Sequence, residues 1–249
     1  MTRAVEILTC SQFAAGLFVL AALFFVSAPY GKHSRSGWGP RMDSRLAWLV
    51  MELPAVFTIL CIFILSPGKT AFTLYLVALW EIHYVYRTFI YPFRMRGPRK
   101  TFPVVLVAFA FLFNVNNGII NGFQSVYAPG TAGPDLAPAR LALGTLLFVS
   151  GFLTHLRSDE ILRGLRGAGD SSYAIPLGGL YTYVSNPNYL GEIVQWAGWA
   201  VIAGTAAGWA FAFFTLCNLL PRAVSNHRWY RKSFPDYPRG RKVLIPFIF

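Results

Sequence analysis

Charge is what this sequence has least of. Asp, Glu, Lys and Arg make up 13% of its 249 residues, about half of the roughly 25% found in a soluble domain. Acid is scarcer still, with 10 Asp and Glu against 22 Lys and Arg. Such a chain cannot cover itself as a water-soluble globule. Cysteine is sparse too: Cys10, Cys61 and Cys217 all lie in apolar segments. Without a CxxC pair or metal-ligand spacing, they read as small core or lipid-facing residues, which excludes a disulfide framework and a zinc site. No GxGxxG or GxxxxGK[ST] follows a strand pattern, so any nucleotide is held without a Rossmann fold or a P-loop.

What the sequence does have is apolar runs of membrane length, which predict an all-α, polytopic membrane protein. Spans are expected near residues 6–28, 46–66, 71–91, 102–123, 138–156, 187–204 and 206–222. The last two share one apolar stretch, Leu190 to Leu220, of 31 residues. As a single helix it would run about 46 Å, well beyond the roughly 30 Å hydrocarbon core, so a turn near AGTAAG is expected to split it. Before the first span, Arg3 precedes a long apolar run and VSA at 26–28 resembles a cleavage site; Pro29 and the length of the run favour a retained helix over a signal peptide.

The basic residues fall in the short connections. Lys32, Arg35, Arg41 and Arg45 lie between the first two spans, and Arg94, Arg96, Arg99 and Lys100 between the third and fourth. Arg157, Arg163 and Arg166 follow the fifth, and seven more cluster from Arg222 to Lys242. One side thus collects 18 of the 22 Lys and Arg, which predicts seven transmembrane helices with the N-terminus outside and the C-terminus cytoplasmic. The net charge of +12 therefore reflects orientation in a membrane, not nucleic-acid binding. Either a bacterial inner membrane or the endoplasmic reticulum fits. No obligate protein partner is evident.

Polar groups inside those spans are costly and mark functional candidates. Glu52 lies in the second span, two residues before Pro54. In the third, Glu81, Tyr84 and Thr88 share one helical face, and His83 and Arg87 another. Asn114, Asn117 and Asn121 form a stripe on the fourth, beside a Gly118/Gly122 small-xxx-small pair suited to close helix packing. Glu192 and Gln195 lie beside Trp196 in the sixth. Asn stripes are packing devices as often as sites, and Glu81, His83 and Arg87 could form an interhelical salt-bridge network. A buried carboxyl group, in contrast, must find a partner or a proton, and two acids with a phenol in one bundle suggest a polar cavity with acid–base capacity. The connections GWGPR, YAPGTAGPD and GAGDSSYAIPLGG read as loops, the last long enough to be functional. The tail NHRWYRKSFPDYPRGRKVLIPFIF admits two readings, an anchor on anionic lipid and a lid whose arginines bind phosphate.

Several tracts together carry a resemblance. MELPA (51–55), HYVYRTFIYP (83–92), NNGIINGF (116–123), GGLYTYVSNPNYLGEIVQWAGWA (178–200) and RAVSNHRWYRKSFPDYPRGRKVLIPFIF (222–249) resemble segments of the steroid 5-alpha-reductase family, in the same order. The likeness runs from about residue 46 to the end. The NPNYLGE portion is also similar to a tract of isoprenylcysteine carboxyl methyltransferases.

The resemblance implies a seven-helix membrane enzyme that uses NADPH to reduce the 4,5 double bond of a 3-oxo-4-ene steroid. Hydride delivered to the β-carbon of an enone pushes charge onto the ketone oxygen, which a donor in a dry site stabilises. By resemblance Tyr84 is that donor and Glu52 its partner at the carbonyl. Asn117 and Asn121 fall where the family contacts the nicotinamide half. Asp159, Arg166, Asn188, Glu192, Arg222 and Tyr230 match positions lining the NADPH cavity, and Arg96 matches a basic position suited to phosphate. Arg87 and Arg94 lie nearby. The chain departs from the family's pattern at His155 and Asn226, which stand for Asn and His, and at Ala174, which stands for Arg. The spacing from Arg96 to Arg99 is one residue longer. Alternative readings are an S-adenosylmethionine-dependent membrane methyltransferase, a reductase of another sterol or polyprenol double bond, and a non-enzymatic lipid or sterol carrier.

Overall fold

A computed structural model describes residues 3–97, 100–128, 137–165, 167 and 172–249. Helix dominates. In chain order the elements are α1 (Arg3–Phe25), β1 (Arg41–Asp43), α2 (Ser44–Leu65), α3 (Ala71–Val85), a π-helical turn (Tyr86–Ile90), α4 (Tyr91–Arg94), β2 (Thr101–Pro103), α5 (Val104–Tyr127), α6 (Ala137–Gly164), α7 (Pro187–Ala203) and α8 (Ala206–Ser233). Five of them, α1, α2, α5, α6 and α8, are long and apolar enough to cross a membrane. α3 and α7 are shorter, at 15 and 17 residues. The all-α expectation needs one amendment, the two-stranded antiparallel ribbon in which Arg41, Met42 and Asp43 pair with Pro103, Phe102 and Thr101.

Local chemistry sets the helix ends. The Asp43 carboxylate accepts from the N–H groups of Arg45 and Leu46 and caps α2. Thr70 and Thr73 form a capping box at α3, and Thr205 caps α8 by accepting from Gly208 N. Gly204, at φ 64°, ends α7 in the left-handed region, which glycine adopts at little cost. α7 and α8 therefore form a hairpin at the AGTAAG turn. α6 and α8 run well past the apolar boundaries at 156 and 222, to Gly164 and Ser233. Hydropathy marks where a helix leaves apolar surroundings, whereas helix propensity carries these basic ends onward. α3 does not end cleanly. Pro92 lacks the N–H that would bond the Thr88 carbonyl, and its ring crowds that turn; the chain widens into the π turn, with Tyr91 N bonding Tyr86 O.

Packing follows small residues. Gly118 and Gly122 of α5 face Thr58, Ile59 and Ile62 of α2. Gly144 and Gly151 of α6 meet Gly198 and Gly191 of α7, backbone against backbone. The main core lies where α3, α6, α7 and α8 meet, around Trp80, Trp196, Trp199, Phe148 and Phe211. The ribbon starts α2 and α5 side by side. At 1.5 Å per residue, Glu52 is about 12 Å along α2 and Asn114 about 15 Å along α5, so the two meet at similar depth.

Candidate active site

A cavity of about 920 Å³ is bounded by α1, the loop after it, α2, α3, α5, α6, α7 and α8. Its lining is of two kinds, apolar at Phe18, Val19, Leu106, Phe109, Phe113 and Phe214, and polar at Lys32, His155, Asp159, Asn188, Glu192 and Arg222. Glu52 and Tyr84 both line it.

Tyr84 is 4% exposed. Its ring is walled in by Trp80 at 4.8 Å, His83 at 5.1 Å, Trp196 at 5.5 Å and Phe211 at 6.5 Å between centroids. Glu52 is 9% exposed. Its Oε2 accepts from Asn114 Nδ2 at 3.4 Å, and that nitrogen also donates to Met51 O at 2.7 Å. Its Oε1 faces Arg87 Nη2 at 3.8 Å. The Arg87 guanidinium lies 4.4 Å over Trp48 and 5.2 Å over Tyr91. The interhelical network weighed for Glu81, His83 and Arg87 forms in part. Glu81 Oε1 is buried with no hydrogen-bond partner, His83 Nδ1 meets Gln195 Oε1 at 3.2 Å, and Arg87 turns to Glu52. The π turn holds Arg87, so regular helical spacing does not describe this face.

Within the polar lining, α6 and α7 contribute one cluster. His155 Nε2 lies 3.5 Å from Asp159 Oδ2, and its Nδ1 lies 3.8 Å from Glu192 Oε2 and 3.3 Å from Asn188 O. Asn188 Nδ2 donates to Asp159 Oδ1 at 3.1 Å. The α6–α7 glycine contacts make this closeness possible. α8 adds Arg222, whose guanidinium sits between Tyr30 at 5.2 Å and Tyr189 at 5.3 Å and donates to Tyr189 Oη at 3.3 Å. Among the described residues no carboxylate lies within 4 Å of it. Burial pushes the Tyr30 phenol up to about 12, so it stays neutral beside that cation. Asn226 donates to Asn186 Oδ1 at 3.0 Å and meets His33 Nε2 at 3.2 Å. Tyr230 is stacked on Tyr237 at 5.3 Å and carries Lys32 Nζ 4.2 Å over its ring.

Of the positions singled out in the sequence, Asp159, Asn188, Glu192, Arg222 and Tyr230 line the cavity together with Glu52 and Tyr84. Asn117 and Asn121 do not; both are fully buried one layer behind the wall. Arg96 is exposed and outside the cavity, because the chain leaves α4 at Met95 before reaching it. Arg94 is bonded to Glu160 at 2.9 Å on the surface. Arg166 and Arg99 lie outside the described residues. Sequence reasoning missed Tyr30, Lys32 and His33, which sit in a loop read only for its charge, and Tyr189, inside a tract read only for its likeness. It also missed Gln12, one polar residue in an apolar helix.

Residues 100–249 match the family model described as 3-oxo-5-alpha-steroid 4-dehydrogenase. The chain is 41% identical over 236 residues to steroid 5-alpha-reductase DET2 of Gossypium hirsutum, covering 92% of this chain and 91% of that one. It is 40% identical over 246 residues to 3-oxo-5-alpha-steroid 4-dehydrogenase 2 of Homo sapiens, covering 94% of each. It is 38% identical over 241 residues to 3-oxo-5-alpha-steroid 4-dehydrogenase 1 of Bos taurus, covering 94% and 93%.

Proposed function

Because the chain belongs to the 3-oxo-5-alpha-steroid 4-dehydrogenase family and is an oxidoreductase, we propose that it uses NADPH to reduce the 4,5 double bond of 3-oxo-4-ene steroids. The relatives' names carry the substrate class. What supports the chemistry in this chain is the meeting of Tyr84, Glu52 and Arg222 on one cavity. The proposal includes seven spans, N-terminus outside and C-terminus cytoplasmic. The charge distribution supports that topology, as does the helical rod that α3, the π turn and α4 make from Ala71 to Arg94.

The polar lining suits a dinucleotide. Arg222 is held between two aromatic rings and lacks a carboxylate, so an anion fits it, and guanidinium suits phosphate oxygens. Asp159 and Glu192 cannot take phosphate; they accept from ribose hydroxyls or an amide. Asn188, Tyr230 and Lys32 complete that set. A volume near the upper limit for ligand pockets leaves the apolar lining for a rigid, fused-ring substrate.

When bound, NADPH supplies a hydride to the enone β-carbon. The enolate that this would leave takes up a proton at its α-carbon, drawn in the overall reaction from the medium, and the residues of the chain hold the ketone and stabilise its charge. Tyr84 donates its O–H to the C3 ketone oxygen and stabilises the charge that develops there, more in the transition state than in the ground state. Glu52, bonded by Asn114 and facing Arg87, lines the same cavity and is the partner of Tyr84 at the carbonyl. Trp80, Trp196 and Phe211 keep water from the Tyr84 hydroxyl, so the interaction is made in a low dielectric.

The test is direct. Protein purified in detergent, given NADPH and testosterone, should consume NADPH and release the 5-alpha-dihydro product. Tyr84→Phe should keep its fold and lose about 10²-fold in kcat, the scale of one oxyanion donor. Binding of S-adenosylmethionine with none of NADPH would overturn the proposal.

A further inference from the structure

A polar side chain in an apolar bundle is bonded or it destabilises the fold. The asparagines on the cavity wall obey this with one exception. Asn114 donates to Glu52, Asn116 of α5 to Gln12 of α1, Asn188 to Asp159 and Asn226 to Asn186, which itself donates to Ala223 O. Asn218 of α8 also lines the cavity and is half-buried, yet it bonds to nothing among the described residues. Its amide brings two donors and one acceptor to the wall with no protein partner.

α8 sets the place of that amide. Phe214, Asn218 and Arg222 recur every four residues, so they share one face, and all three line the cavity. Phe214 is stacked on Phe113 of α5, with ring centroids 4.0 Å apart, which fixes it in the apolar lining. Arg222 lies between Tyr30 and Tyr189. Asn218 stands between the two, about 6 Å from each along the helix axis.

Its separation from the reacting group follows in the same way. The Phe211 ring is stacked on Tyr84, with centroids 6.5 Å apart. Asn218 comes seven residues later on the same side of α8, a rise of about 10 Å. That is the length of a fused four-ring skeleton measured between oxygens at its two extremities. The occupant is uncharged, because an anion is drawn to Arg222 one turn further on. It adjoins Phe214 on the α5 side, whereas Asp159, Asn188 and Glu192 stand on α6 and α7. Both facts favour the substrate over the carboxamide of the cofactor.

We propose that Asn218 is a specificity-determining residue: its amide bonds a hydroxyl or carbonyl oxygen at the extremity of the substrate opposite the ketone held by Tyr84. The site then selects 3-oxo-4-ene steroids that carry oxygen at both extremities. An analogue without the second oxygen leaves the amide unpaired in apolar surroundings, which is a larger loss than the bond itself. The inference rests on the reading of this cavity as a steroid reductase site.

The test compares two substrates on the full chain in detergent. Testosterone carries the second oxygen, and androst-4-en-3-one has the same rings without it. In the parent protein kcat/KM should favour testosterone by about tenfold, the scale of an unpaired neutral group. In Asn218→Leu that ratio should fall to near one. Asn218→Ala, which adds no bulk, should do the same and serves if the leucine variant folds poorly. NADPH affinity, read by its fluorescence on binding, should not follow the ratio. A parent protein indifferent to the second oxygen would overturn the inference. So would variants that slow both steroids equally, or that lose NADPH affinity at an unchanged ratio, which would give the amide to the cofactor. Each of those results leaves the reductase reading standing; reduction of neither steroid by the parent protein would remove both.

Discussion

Glu52 Oε1 lies 3.8 Å from Arg87 Nη2, with both side chains only 12% exposed. Among the described residues Arg87 is the one cation on the carboxyl, and its other oxygen is bonded by the neutral Asn114. A carboxylate withdrawn from water and deprived of its counter-charge is strongly destabilising. Arg87→Met should therefore lower stability by about 3 kcal/mol, the scale of a broken buried pair, and lower the thermal midpoint in detergent. Adding Glu52→Gln should restore part of that loss, because the stranded charge goes with it. A double variant as unstable as the sum of the singles would show that the two groups are not coupled.

Arg222 tests the polar lining. Its guanidinium is stacked between Tyr30 and Tyr189, and no carboxylate neutralises it among the described residues. Arg222→Leu should weaken NADPH binding by about 10- to 100-fold, the range for losing hydrogen bonds to a charged group. Arg222→Lys should recover little, since an ammonium neither stacks nor forks. Fluorescence titration of NADPH checks both. Turnover at saturating cofactor should change much less, because Arg222 does not touch the reacting oxygen.

How much of this was legible in the sequence depends on which force fixed each feature. Helices and the hairpin at Gly204 were legible, because apolar run length and a glycine-rich turn are local signals. Glu52 and Tyr84 were legible as costly groups, and their likeness to a family gave them roles. Arg96 was read by matching position as suited to phosphate, and it stands exposed past the end of α4, outside the cavity lining. The partner of Arg87 was hidden because a π turn, driven by Pro92, breaks the periodicity on which face assignments rest. Lys32 and His33 reach the cavity only because the loop after α1 folds over the ends of α7 and α8, a long-range fact with no local pattern. The same holds for Gln12, whose meaning comes from α5.

The α6–α7 contact yields a prediction from packing alone. A Cβ at Gly191 would stand 2.6 Å from both Gly151 O and His155 N. Those are backbone atoms, so the helices must separate. His155 and Asp159 ride on α6, whereas Asn188 and Glu192 ride on α7, and separation pulls that cluster apart. Gly191→Ala should cost about 1–3 kcal/mol by overpacking and weaken NADPH binding as well. Gly164→Ala, at the end of the same α6 with nothing within 4 Å, should leave both unchanged. Thermal midpoints and cofactor titrations on the two variants decide it.

The last prediction concerns acid. His33 lies in the loop after α1, outside the spans, with Nε2 3.2 Å from Asn226 Oδ1. Burial first, then the charges of Lys32, Arg222 and Arg35, hold it below its ordinary value of 6.5, against the bond to Asn226 that raises it. The unfolded chain therefore takes up a proton at a higher pH than the folded one does. Stability rises with pH wherever the unfolded state binds more protons. The contribution of His33 is thus fully present above about pH 6.5 and declines as the pH falls from there toward the depressed folded value. His33→Gln keeps a donor for Asn226 and removes the titration. The difference in thermal midpoint between pH 7.5 and pH 5.5 should accordingly be smaller in His33→Gln than in the parent protein. An equal difference in the two would mean that His33 titrates as it would in water, and that its contact with Asn226 is not buried in solution.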